Sequence, residues 1–80
     1  MKCTQYFLHT RLRHDRSAIR DGWIQQAITG SVHSEIQTDG RIRKWVWIAG
    51  EGKYLRVILL ADGETVPNVF FDRNFKPPTP

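Results

Sequence analysis

Cysteine is almost missing from this chain: Cys3 stands alone among 80 residues, so neither an internal disulfide nor a cysteine-built zinc site can stabilise it. Long apolar runs are missing as well. The most apolar stretch, Val57 to Ala61, is strand-sized and far short of the roughly 20 residues of a membrane-spanning helix. The N-terminus has one lysine and then Thr4 and Gln5, without the apolar run and small-residue cleavage site of a secretory signal. A cytoplasmic protein without membrane association is therefore expected. The chain is too short for a multidomain enzyme. At this size one hydrophobic core barely outweighs chain entropy, which leaves no room for a large buried ligand cavity and directs any function to an exposed surface.

Recognisable reaction motifs are equally scarce. Ser17, Ser31 and Ser34 lie in no nucleophile-elbow context. Gly50-Glu51-Gly52 lacks the Lys-Ser/Thr and following helix of a phosphate-binding loop and reads as a turn. The three histidines, Cys3 and eight scattered carboxylates form no helical i,i+4 pair, so neither a metal nor another cofactor is expected.

What the chain does have is positive charge, with 12 Lys+Arg against 8 Asp+Glu and a net charge of +4. The composition, 40% hydrophobic and 25% charged, is that of a globular domain. Ile19, Trp23, Ile24, Ala27 and Ile28 recur at helical spacing and predict a helix over Arg16 to Thr29, with Asp15 or Ser17 capping its start and Gly30 closing its end in the left-handed conformation.

After Gly30 the pattern has period two. Four runs predict strands, Val32 to Thr38, Arg41 to Ala49, Tyr54 to Leu60 and Glu64 to Phe71. Two-residue turns at Asp39-Gly40 and Asp62-Gly63, and a loop over Gly50 to Lys53, connect them into an antiparallel meander. Pro67 requires an edge strand or a bulge. The segment Thr4 to Leu8 can add a further short strand. The expected fold is α+β: one main helix packed on a four-stranded antiparallel sheet, as a single domain over 1–76 followed by a flexible Pro-rich tail, 77–80.

Side-chain alternation on those turns divides the sheet into two faces. One collects Ile42, Val46, Ile48, Leu55, Val57, Leu59, Val66 and Phe70, an aliphatic surface for the helix, with His33 also on that side. The other gathers Arg41, Arg43, Trp45, Trp47, Tyr54, Arg56 and Ile58, with Val69, Phe71 and Arg73 on the last strand. Arginines interleaved with flat rings suit RNA, since guanidinium groups hold phosphates and rings accept unstacked bases. The same rings can instead bury one another beneath the N-terminal segment, with arginine stems covering the edge. The run His9-Thr10-Arg11-Leu12-Arg13-His14-Asp15-Arg16 is the densest positive charge in the chain. It reads either as a phosphate-gripping rim formed by Arg11, Arg13 and Arg16 or as a solvated entry to the helix.

The order of elements and the segments Asp39-Gly40-Arg41-Ile42-Arg43, Lys53-Tyr54-Leu55-Arg56-Val57 and Asn68-Val69-Phe70-Phe71-Asp72-Arg73-Asn74-Phe75 resemble the RelE/ParE superfamily of bacterial toxins, including its BrnT branch. The resemblance implies a metal-independent endoribonuclease, in which a 2′-hydroxyl attacks the neighbouring phosphorus while basic side chains stabilise the developing charge. It matches Arg56 to the arginine of the central strand and Arg73 to a basic residue near the end of the last strand. The tyrosine or histidine that often transfers the proton has no counterpart, because Phe75 stands in that region. Either His9 or His14 takes that role, or the chain is a non-catalytic relative. The implied partners are RNA, in some relatives on the ribosome, and a small antitoxin protein laid over the active face. Three readings therefore remain open: a ribonuclease using Arg56, Arg73 and His9 or His14; a non-catalytic module binding RNA or protein through the same face; and an interaction domain that homodimerises through its tryptophans.

Overall fold

The computed structural model describes residues 2–10 and 19–77, apart from the side chains of His9 and Thr10. Among them are helices α1 (Gln5–Thr10) and α2 (Asp21–Gly30) and strands β1 (His33–Ile36), β2 (Ile42–Ile48), β3 (Lys53–Leu59) and β4 (Asn68–Phe71). The strands form one antiparallel sheet in the order β1-β2-β3-β4. The fold is thus α+β, with a four-stranded meander and helices on one of its faces. No helix among the described residues is long and apolar enough to cross a membrane.

Phe7 of α1, Ile19, Ile24 and Ala27 pack against Val46, Ile48, Leu55, Val57, Leu59, Val66 and Val69 in one apolar core. Ile24 and Ala27 give α2 its buried stripe, with Trp23 and Ile28 partly buried beside them. The helix starts later than its apolar spacing suggested. Ile19 is buried but precedes it, and Arg20 is the N-cap in extended conformation, with no side-chain cap; Asp15 and Ser17 lie outside the described residues. Gly30 does not turn left-handed. Instead Lys44 reaches from the core side of β2 and its Nζ donates to the Ile28 carbonyl at 2.9 Å, satisfying one of the acceptors left open at the helix end.

The segment Thr4 to Leu8 is not a strand. Thr4 Oγ1 accepts a hydrogen bond from the Phe7 amide at 3.1 Å, an N-cap that starts α1. A short helix needs to bury only one side of itself, so Phe7 enters the core while Tyr6 and Leu8 stay exposed. The sheet contact made by the N-terminus lies earlier, as a single parallel bridge between Cys3 and Val66.

All three connections between strands differ from the sequence expectation, and two of the differences move side chains across the sheet. Gln37 N donates to Arg41 O at 2.7 Å, so the β1–β2 loop is the three residues Thr38 to Gly40, with Gly40 at φ 91°. This is the hairpin geometry that puts glycine in the left-handed position after a type I turn. The added residue shifts the register by one and pairs His33 with Trp45, placing His33 on the face away from the helices rather than on the core side. Between β3 and β4, Leu60 N donates to Thr65 O, yet Ile58 pairs with Asn68. One residue separates Ile58 from Leu60 on β3 and two separate Thr65 from Asn68 opposite them, so an extra residue is taken up at Val66-Pro67, beside an edge strand as proline requires. Consequently Val69 and Phe71 line up with Val57 and Leu55 on the core face, while Phe70 opposes Arg56 on the other. That exchanges the faces expected for Phe70, Val69 and Phe71. The β2–β3 loop covers residues 49–52 instead of 50–53, and Trp47 pairs with Tyr54. The shift is two residues, so the faces of both central strands stand as expected.

The turn after β3 is organised by Asp62. Its Oδ1 accepts from the amides of Glu64 (2.8 Å) and Thr65 (2.9 Å), and its Oδ2 from Thr65 Oγ1 (2.6 Å). Those bonds, the Thr65 hydroxyl foremost, lower its pKa from 3.8 to about 2. A depressed carboxylate stabilises the fold above its unfolded pKa, and this contribution disappears as pH falls through the folded value. The urea midpoint of the wild type should therefore drop more between pH 3.8 and pH 2 than that of Asp62→Asn. The amide keeps an acceptor for the turn but does not titrate. Parallel curves for the two proteins would show that the turn contributes nothing to the acid limb.

Candidate functional site

The face of the sheet away from the helices is built in cross-strand rows. His33, Trp45, Arg56 and Phe70 form one row across all four strands. Glu35, Arg43, Ile58 and Asn68 form the next. Trp47 opposes Tyr54 beyond the end of β1. Alternation alone therefore brings Arg43, Trp45, Trp47, Tyr54 and Arg56 together, as the sequence predicts.

The surface is not open throughout, because the chain leaving β4 folds back across it. Asp72 N donates to Tyr54 O at 2.9 Å. Asp72 Oδ1 then accepts from the Asn74 amide at 3.1 Å, a local turn that directs the chain over the sheet. Phe75 follows and stacks on Trp45, with ring centroids 4.6 Å apart and planes at 12°. It also contacts Tyr54 edge-on at 5.0 Å and His33 at 5.8 Å. Trp45 is left 3% exposed, and its Nε1 donates to Asp72 Oδ2 at 3.1 Å. The rings bury one another, but the cover is the C-terminal turn, not the N-terminal segment, which belongs to the helix side.

Arg56 is held in the same cluster. Its Nη1 lies 3.6 Å from Asp72 Oδ2, its guanidinium carbon sits 4.3 Å over the Phe70 ring, and its Nε is buried with no hydrogen-bond partner. Burial lowers its pKa, the nearby Arg43 adds to this, and Asp72 and Glu35 oppose it; an arginine nonetheless stays charged at any physiological pH. With its side-chain amide turned so that the oxygen rather than the nitrogen faces Arg43, Gln37 accepts from Arg43 Nη2 at 2.7 Å and Nε at 2.6 Å. Arg41 is exposed just after the β1–β2 loop, with its Nε 3.7 Å from Asp39. Arg73 is exposed in the turn that follows Asp72.

Trp47 is the exposed tryptophan of this face, at 45%, in edge-on contact with half-buried Tyr54 at 4.9 Å. It also borders a shallow groove of ≈ 940 Å³ that runs past the end of β1 to Arg20 and Trp23 on α2, where the Arg20 guanidinium lies 5.6 Å from the Trp23 ring centre. The open part of the face is thus an aromatic pair with Arg20 across the adjoining groove.

Of the other residues expected at the site, Arg11, Arg13, His14 and Arg16 lie outside the described residues. His9 lies in α1, whose Phe7 enters the core under the opposite face of the sheet. Sequence reasoning missed His33, Phe70, Asp72 and Phe75 as members of this cluster. The Asp72-x-Asn74 pattern, a local turn former placed just before an aromatic residue, was the available signal for the last two. Among the described residues no group of three His, Cys, Asp or Glu side chains could hold a metal ion. No family model, curated protein or solved structure matches the chain.

Proposed function

We propose that this protein is a small cytoplasmic RNA-binding module that holds single-stranded RNA on the open part of the outer sheet face without cleaving it. The observation that carries the reading is the open Trp47–Tyr54 pair with Arg20 across the adjoining groove, together with Arg43 two rows along the same face and the exposed Arg73 after Asp72. Bases stack on the rings, and the arginines take the phosphates without reading sequence. Catalysis would need a proton-transfer group beside Arg56. Among the described residues, the side chains set directly against Arg56 are instead Asp72, held in an ion pair, and Phe70, which has no transferable proton.

Fluorescence anisotropy with a short fluorescein-labelled oligouridine tests this. The wild type should bind and the RNA should stay intact on a gel. Trp47→Ala should lose about 1–3 kcal/mol, which is about a five- to 150-fold fall in affinity. Arg43→Ala with Arg73→Ala should weaken binding and flatten its salt dependence, because fewer counterions are released. A wild type that binds no RNA, together with a Phe75→Ala variant that binds none, overturns the proposal.

One observation favours the ribonuclease reading implied by the likeness to RelE/ParE toxins. The buried Nε of Arg56 has no acceptor, so it could serve a phosphoryl oxygen. Growth arrest with RNA cleavage on induced expression, abolished by Arg56→Ala with Arg73→Ala, would replace the binding reading with that one and make an antitoxin the expected partner.

A further inference from the structure

The buried Trp45 ring and the largely enclosed Arg56 guanidinium of the outer face are both in contact with the chain's own C-terminal turn. Asp72 sets a carboxylate against the Arg56 guanidinium, with Oδ2 3.6 Å from Nη1. Three residues later Phe75 lies flat on Trp45, 4.6 Å between ring centres, in a slot also bordered by His33 and Tyr54. An anion on a guanidinium beside a flat ring on an indole is the pair of contacts that a nucleotide makes through its phosphate and its base. We propose that Asp72–Phe75 is an internal nucleotide mimic, covering a second RNA subsite formed by Arg56 and Trp45 that a nucleotide of single-stranded RNA enters when the turn lifts. This rests on the reading of the outer face as an RNA surface.

Two features support an occupant that can be exchanged. First, the mimic satisfies Arg56 poorly: a 3.6 Å separation is longer than a charge-assisted hydrogen bond, and Nε is left with no acceptor. A phosphate offers more oxygens to the same five donors. Second, β4 ends at Phe71, and Asp72 N makes the turn's backbone hydrogen bond to β3, through Tyr54 O. The turn is followed by exposed Lys76 and Pro77, so lifting it breaks the ring stack, the ion pair and the Asp72 hydrogen bonds to Trp45 Nε1 and Tyr54 O without opening the core on the other face.

The test titrates the labelled oligouridine with wild type, Trp47→Ala, Phe75→Ala and Phe75→Leu, with folding checked by circular dichroism. A covered subsite reduces apparent affinity by the fraction of molecules that are open, so Phe75→Ala should bind about tenfold tighter than wild type. Phe75→Leu keeps an apolar side chain over Trp45 but cannot stack, and should also bind more tightly; it serves if the alanine variant does not fold. Binding by the wild type that depends on Trp47 but is not tightened in either folded Phe75 variant overturns the mimic alone. No binding by any of the proteins overturns the RNA-surface reading and the mimic with it. Binding seen only in the Phe75 variants would support the mimic in its strongest form, with the turn closing the surface completely.

Discussion

Trp45→Ala should come close to unfolding the protein, whereas Trp47→Ala, two residues along the same strand and on the same face, should cost less than about 1 kcal/mol of stability. Removing a large buried aromatic side chain costs about 3–5 kcal/mol, from lost transfer energy and from the cavity left behind. Trp45 qualifies: it is 3% exposed, stacked on Phe75 and hydrogen-bonded through Nε1 to Asp72. The loss extends past the indole, because Phe75 and His33 both rest on it. A whole domain is stabilised by about 5–15 kcal/mol, and this chain is at the small end of the range. Trp47 has one ring partner, Tyr54, and keeps nearly half its surface in water. Urea denaturation of the two variants separates the roles, with the midpoint falling steeply for Trp45→Ala and hardly for Trp47→Ala. Equal losses would mean that the outer face is a single buried layer with no open end, and the RNA surface would lose its central residue.

The contrast between these tryptophans shows how far the sequence could be read. Period-two alternation placed both on the non-helix face, and did so correctly because β2 and β3 are joined by a loop whose length has the same parity as the expected one. Parity is a robust quantity there and a fragile one elsewhere. At Thr38 to Gly40 one more residue entered the loop than the Asp-Gly pair suggested, and His33 changed faces. At Val66-Pro67 the irregularity that proline demands took up a residue and exchanged Phe70 with Phe71. Local rules state that such a break occurs but not how many residues it absorbs. The cover over Trp45 was beyond reach for a different reason. A segment with no periodicity of its own is placed by what the rest of the fold leaves exposed, here an indole and a guanidinium, and that is known only once the register is. At the other end, Thr4 was the readable sign that α1 begins where a strand was expected. Its hydroxyl is a better guide to that segment than the apolarity of Tyr6, Phe7 and Leu8, two of which remain in water.

Asp72 is the second residue whose loss should be large, although it lies outside every strand and helix. One carboxylate accepts from Trp45 Nε1 and from the Asn74 amide and neutralises Arg56. Its side chain is 14% exposed, and that of Arg56 is 25% exposed. Asp72→Ala therefore leaves an indole N–H without its acceptor, at about 1–3 kcal/mol for a buried donor. It also strands a guanidinium that is largely out of water. Breaking a fully buried ion pair costs about 3–5 kcal/mol, and partial solvation together with the 3.6 Å separation brings the expected total for both effects down to about 2–4 kcal/mol. The sign of the coupling is the more informative quantity. Arg56→Met keeps an unbranched side chain over Phe70 but removes the charge, so in that background the loss of Asp72 strands no cation. The double variant should then be more stable than the sum of the single losses predicts, by about 1–2 kcal/mol. Additive losses measured by urea denaturation would mean that Asp72 acts through Trp45 and the turn alone. Arg56 would then owe its position to Phe70 and its cross-strand neighbours, and the guanidinium would be as available to a phosphate with the turn closed as with it lifted.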